Sequence, residues 1–280
     1  MTYRIGTIAK LLGMSAEGIR MYERSGILRA QRENEENEYR SFDHLDITAL
    51  IRARGYHYCG FSTREIARLI NSPDVDEVTE LYARKEEELR REIVHKQLQM
   101  KCLEEFRQLT EKAEEQLFQI SVRQRPALYR FEFLRDGKLL LKEESEKIFR
   151  TWVRMTPMVF LSQMNSWEKL VQGETQVTAA LGILAEAAGE LELDISYAKY
   201  YEKCPCLYTV VKEQGNQFCP ARCLAHVVEY VKEKGIPVTG NPIARTFLSM
   251  NKRDDYTRYR QVWIPIETGE GDYESSLMPR

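Results

Sequence analysis

The chain has 280 residues, 43% of them hydrophobic and 30% charged, a soluble globular profile with room for more than one core. A formal net charge of −2 removes any argument for nucleic acid from global charge, so such an argument must come from local placement. No apolar run approaches the roughly 18 residues of a membrane span, and the opening MTYRIGTIAK lacks the charged-then-apolar order of a secretory signal, so a cytoplasmic protein with six reduced cysteines is expected.

IGTIAKLL, residues 5 to 12, places Ile5, Ile8, Ala9 and Leu12 on one helical face, and Gly13-Met14 breaks the pattern. Ser15 caps a second helix, SAEGIRMYERSG, with Glu17 near the favourable end of its dipole. Two short helices about a glycine-containing turn form a helix-turn-helix, whose second helix ordinarily enters the major groove. Ser15 and Ala16 open that helix, Ile19 faces inward, and Arg20 and Tyr22 are expected to reach outward. A polar hairpin-like stretch then ends in Tyr39-Arg40, a wing that can offer both side chains to phosphate oxygens. Two more amphipathic helices are expected around Gly55 and Gly60.

The ordered segments IGTIAKLLGMS, IRMYERSGIL, EYRSF and GFSTREIARLI resemble the N-terminal winged-helix domain of MerR-family transcription regulators over about the first 70 residues. The family often has two tyrosines after the recognition-helix arginine; this chain has Met21 and Tyr22. The plainer reading makes Arg20, Tyr22, Tyr39 and Arg40 ordinary residues of a small helical domain, and an aromatic at helical spacing such as Tyr22 often belongs to a core.

From Pro73 to about Leu117 there is no further proline or glycine, which predicts one uninterrupted helix. Val78, Leu81, Leu89, Ile93, Met100, Leu103 and Phe106 recur at roughly three-four spacing with polar lapses near Lys85 and Lys96. The competing reading is a solvated charged helix, since residues 75 to 118 hold 8 Lys and Arg and 12 Asp and Glu. Leaving the apolar stripe in water would forfeit roughly 1.5 to 3 kcal/mol per side chain, which favours a dimer. The resemblance implies the same: an antiparallel helix pair, a homodimer and a palindromic operator.

Residues 121 to 270 are richer in aromatics and strand-like runs. Pro126-Ala127-Leu128-Tyr129 recurs as Pro205-Cys206-Leu207-Tyr208, 79 residues later. At the same offset Ile148, Phe149 and Trp152 align with Val227, Val228 and Val231, and further on ALGILAE (180 to 186) aligns with QVWIPIE (261 to 267). The fold class expected is therefore α+β: an N-terminal winged helix-turn-helix (1–72), a dimerisation helix (73–118), a duplicated strand-helix-strand-strand domain with an antiparallel sheet (121–270) and a tail (271–280). A cleft between the two repeats suits a ligand.

PCLYTVVKEQG, ARCLAHVVEYVKEKG, the GNP turn at 240 to 242 and VWIPI resemble, in order, the GyrI-like effector-binding domain of multidrug-sensing MerR regulators. The resemblance implies a bulky apolar ligand, often cationic, sandwiched by aromatics over a buried carboxylate. Tyr129, Trp152, Tyr197, Tyr208, Phe247 and Trp263 are the candidate walls, about half of which would only fill the core. Where relatives commonly carry the glutamate two residues before the tryptophan-like position, this chain has Gln261, whose amide cannot neutralise a cation. Either Glu132, Glu186 or Glu190 supplies the charge, or the ligand is neutral or anionic; a neutral or weakly polar ligand is the favoured reading. The family resemblance further implies a regulator that distorts promoter DNA so that RNA polymerase can engage.

Cys204, Cys206, Cys219 and Cys223 invite a thiol-responsive or metal-responsive alternative. A strand over 206 to 212 would part the two pairs by roughly 20 Å, too far for one zinc site. Cys219 before a helix keeps redox sensing open, Cys59 and Cys102 are expected to be structural, and His44, His57, His95 and His226 show no ligand spacing, so no metal or cofactor is expected. Some stand-alone relatives of the effector domain are thought to be hydrolytic. This chain has no G-x-S-x-G elbow or P-loop, and no enzymatic activity is expected. Arg40→Ala is expected to weaken binding to all DNA sequences alike and to lower the slope of log affinity against log salt by about one, read by fluorescence anisotropy; an unchanged slope removes the wing from the interface.

Overall fold

A computed structural model describes residues 2–28, 31–34, 37–215, 220–252 and 255–267; the side chains of 31–34, 37–40, 252 and 255 lie outside the description. The chain divides into two compact units at Ile93/Val94.

In the first unit, β1 (Tyr3–Arg4) leads directly into α1 (Ile5–Leu12), which stops at Gly13 in the left-handed conformation, φ 59°. α2 (Ala16–Arg24) starts where the Ser15 hydroxyl accepts the Gly18 N–H at 3.0 Å. β2 (Gln31–Asn34) and β3 (Asn37–Phe42) form the hairpin, and β1 pairs with β3 to make a three-stranded antiparallel sheet. α3 (His44–Tyr58) and α4 (Thr63–Asn71) each begin with a capping box, Asp43 with Asp46 and Ser62 with Glu65. Ile8, Ile19, Phe42, Leu50 and Ile66 close one core. Tyr22 belongs to it as well, at 3% exposure, and so is not the outward-reaching residue the sequence led us to expect. It stands three residues after Ile19, hence on the same inward stripe of α2.

α5 (Val75–Glu111) is continuous for 37 residues, roughly 55 Å at 1.5 Å per residue. Its apolar residues do not form one stripe. Leu81 and Val78 join the first core, and Val94, Leu98 and Phe106 pack within the second unit. Leu89, Ile93, Met100 and Leu103 stay 40 to 61% exposed. Their spacings of four, seven and three are those of a coiled-coil seam, with Lys96 in the place left between Ile93 and Met100.

The second unit is a sheet with helices. Its elements follow as β4 (Ser121–Arg125), β5 (Leu128–Arg135), β6 (Lys138–Leu139), α6 (Glu143–Arg154), β7 (Phe160–Asn165), α7 (Trp167–Val171), β8 (Val177–Leu184), α8 (Ala185–Glu190) and β9 (Lys199–Tyr201). The second half adds β10 (Cys204–Gln214), a 3-10 turn (Ala221–Leu224), α9 (Ala225–Lys234), β11 (Ile243–Lys252) and β12 (Asp255–Pro265). The antiparallel strand order β4-β10-β12-β11-β7-β8-β5-β6, with β9 also on β5, shows the duplication: β10-β12-β11 mirrors β5-β8-β7, and the halves join where Arg245 faces Ser162.

Register corrects the repeat in one place. Across β5, β8, β7, β11, β12 and β10 the directly paired residues Arg130, Gly182 and Phe160, then Ser162, Arg245, Gln261 and Val210, share one face. Leu128 is on that face, whereas Leu207 packs beneath α9 with Val211 and Val262. The PALY and PCLY motifs are therefore one residue out of structural register, a slip that exchanges faces. ALGILAE and QVWIPIE do correspond, with Gly182 standing where the second half has Trp263. A Cβ on Gly182 would lie 2.5 Å from the Phe160 ring, so that ring occupies the space a side chain would take.

α6 and α9 cover the opposite face, Trp152 at 0% exposure against Phe131 and Val227 at 0% against Leu207. The Glu213 carboxylate is buried there against the Arg260 guanidinium, with Arg258 at 3.5 Å. Glu213→Gln leaves Arg260 without its counter-charge and is expected to cost on the order of 3 to 5 kcal/mol, measured by urea unfolding; a loss below about 1 kcal/mol would show that water reaches the pair.

Candidate functional site

Two surfaces bring chemistry together, one in each unit. On α2, Ser15 and Ala16 form the helix start, and Arg20 is exposed, held by Glu17 at 3.2 Å, which Arg24 also reaches at 2.7 Å. Those two arginines lower the Glu17 pKa through their hydrogen bonds. Tyr39 and Arg40 fall on β3, but their side chains lie outside the described residues. Helix-turn-helix, three-stranded wing and capped second helix define the winged class of DNA-binding domain.

In the second unit, the face of the sheet away from α6 and α9 carries a cavity of about 210 Å³. Tyr208, Gln261, Trp263, Phe160 and Leu128 line it, with Arg123 and Arg125 from β4, Arg245 from β11 and Glu105 from α5. The C-terminal half of α5 closes this side, Phe106 and Leu109 packing with Tyr208, Phe247, Tyr259 and Trp263. The Gln261 amide nitrogen donates to the Tyr208 hydroxyl at 3.1 Å, which leaves the phenolic proton free to donate elsewhere. Burial raises the Tyr208 pKa, so the phenol stays protonated through the physiological range. Arg123 lies 3.8 Å from the centre of the Tyr208 ring.

The candidate ligand residues separate by face. Tyr208, Gln261 and Trp263 meet at the cavity, and Phe247 fills the core beside it. Tyr129, Trp152 and Tyr197 do not join them: Tyr129 packs on Tyr200, Tyr197 stacks on Phe131, and Trp152 is core, its indole N–H donating to the Asp194 carbonyl at 2.9 Å. Glu186 does not line this cavity, its side chain 74% exposed near Lys101, and Glu132 binds Arg135 at 2.9 Å. Sequence reading overlooked Glu105, Arg123, Arg125 and Arg245, since β4 escaped notice and arginines on an assumed surface carry no periodic signal.

Cys204 and Cys206 stand on β10 with their sulfurs 3.7 Å apart. The hydrogen bond from Cys206 brings the Cys204 thiol down to about 6, and the same contact, with burial, pushes Cys206 up. Cys204 and Cys206 pack with the cavity-side cluster, Cys223 stands on the 3-10 turn beside Leu224, which packs on the α9 side, and Cys219 lies outside the described residues. Among the described residues no cluster of three or more His, Cys, Asp or Glu is placed to hold a metal ion. No helix among them is long and apolar enough to cross a membrane.

Residues 3–72 match the family model described as MerR HTH family regulatory protein, which makes the winged domain a MerR-type DNA-binding domain of a transcription regulator. Among solved structures the chain is similar to that of an EcmrR–DNA complex in EcmrR-RPo, with 13% identity, TM-score 0.35, and coverage of 95% of this chain and all of that one. A MerR-family transcriptional regulator from Bacillus cereus is 22% identical at TM-score 0.33, covering 41% of this chain and 84% of its own. A hydrolase from Listeria innocua is 14% identical at TM-score 0.33, covering 56% and 98%. No curated protein matches the sequence.

Alkylation by iodoacetamide, mapped by peptide mass spectrometry from pH 5 to 9, is expected to label Cys204 with a half-maximal rate near pH 6. Cys206→Ala removes the donor and moves that midpoint up towards about 8.5; a Cys204 midpoint already near that value in the unaltered protein refutes the assignment.

Proposed function

We propose that the protein is a homodimeric, effector-responsive transcription regulator, in which a small aromatic or lipophilic molecule bound in the second unit alters how the dimer distorts promoter DNA. The observation that carries this reading is the double use of α5. One side of the helix supplies Glu105 and Phe106 to the cavity and its surroundings, while the exposed Leu89, Ile93, Met100 and Leu103 lie along another. A ligand that shifts the first side perturbs the second. The dimer, the palindromic operator and the action on RNA polymerase at the promoter extend the MerR-type identity of residues 3–72. Physically, ligand free energy would be spent on DNA deformation of several kcal/mol. A domain division at 1–72, 73–118, 121–270 and a tail from 271, and a cytoplasmic site of action, belong to the same proposal.

The close Cys204–Cys206 pair supports a second reading, in which oxidation of these thiols rather than ligand binding is the signal.

Burying the four seam residues would gain roughly 1.5 to 3 kcal/mol each. Leu103→Glu is therefore expected to weaken the dimer at least about ten-fold in sedimentation equilibrium and to weaken operator binding in parallel. A variant that dimerises and binds DNA as before would exclude this face from the interface.

A further inference from the structure

The cavity face is unusually rich in buried positive charge. Arg125, Arg130 and Arg245 are 3%, 2% and 4% exposed, all on the sheet face that carries the cavity. Arg245 gives one guanidinium nitrogen to Glu105 at 2.7 Å, but its Nε is buried without a partner. Arg125 donates to the Glu202 backbone carbonyl and leaves its own Nε unsatisfied. Arg130 reaches Ser162 and Met164, which are neutral, and its Nη2 is likewise unpaired. Glu105 is the carboxylate lining the cavity, and it is already engaged by Arg245. Buried guanidinium groups with open N–H groups favour an acceptor there, and an anionic one most, since each unsatisfied donor costs free energy in a low-dielectric setting and Arg125 and Arg130 have no carboxylate partner among the contacts above.

The remaining wall is aromatic and apolar. Trp263, Phe160 and Leu128 line the same space, and the Arg245 guanidinium lies 4.6 Å from the Phe160 ring centre. About 210 Å³ is modestly more than the roughly 150 Å³ cavity that holds one benzene. A bulky multi-ring compound does not fit that volume.

We propose that this cavity binds a small aromatic carboxylate, its ring against Trp263 and Phe160 and its carboxylate on the guanidinium of Arg245, with the Tyr208 hydroxyl as a second donor. Gln261 then has a definite part. It holds the phenol in place and turns its proton towards the anion, where a glutamate would repel the ligand and compete for Arg245. The inference rests on the effector-site reading above and specifies the charge of the effector.

Isothermal titration of the full chain with benzoate, benzamide and benzylammonium, three probes of one size, tests it. Benzoate is expected to bind at least about ten-fold tighter than either of the others, and Arg245→Gln to abolish that preference. Circular dichroism checks that the variant is folded; if it is not, the same comparison in Arg123→Gln, at the exposed rim, is expected to show a reduced preference for benzoate. Inorganic phosphate is expected not to displace benzoate. Displacement by phosphate at equal concentration would make this a general anion site and overturn the aromatic assignment. Equal binding of benzamide, or tighter binding of benzylammonium, would overturn the anionic assignment and leave the cavity as an effector site. Binding by none of the three at millimolar concentration would remove the effector site itself, and this inference with it.

Discussion

An antiparallel sheet can leave one face to water, but the sheet of the second unit carries apolar side chains on both faces, and the two coverings come from different parts of the chain. The face beneath α6 and α9 is closed by helices that belong to the repeats. The other is closed by the end of α5, a helix that starts in the first unit. Because a single helix cannot span a sheet of this width, part of that face remains a hollow floored by Tyr208, Gln261 and Trp263. The cavity, the exposure of the seam residues and the distribution of apolar side chains along α5 all derive from this one assignment of surfaces.

Much of the architecture was legible because its signals are local. Ser15 as a cap, Gly13 as a helix stop and the unbroken run after Pro73 each report on a few neighbouring residues. The lining of the cavity was not legible in the same way. Which face a strand residue takes depends on register with a partner tens of positions away, and the aligned PALY and PCLY motifs pointed to the wrong parity by one residue. Tyr22 failed for a related reason: a position on a helix has a face, but the sequence alone did not say that the stripe through Ile19 included it. The aromatics Tyr129 and Trp152 could be placed on the domain but not on a side of its sheet.

Electrostatics adds what pattern reading could not. A glutamine in place of a carboxylate can be seen in the sequence as a missing negative charge. That the neighbouring side chains are arginines with unsatisfied buried nitrogens emerges only once β4 is laid beside β10 and β11 beside β12. The amide, the phenol and the guanidinium groups then line one hollow, in which the Gln261 nitrogen is satisfied by Tyr208 while its oxygen is buried without a partner.

The unequal pair Gly182 and Trp263 bears on stoichiometry. Duplication alone would give a domain with two related half-sites about its internal axis. Here one half presents an indole and the other a bare backbone overlaid by Phe160, so the hollow, though lined from both repeats, has two unlike walls. A hollow with unlike walls offers one orientation to a guest, and its occupancy within each chain would follow a simple hyperbola, leaving any sigmoidal response to arise between chains.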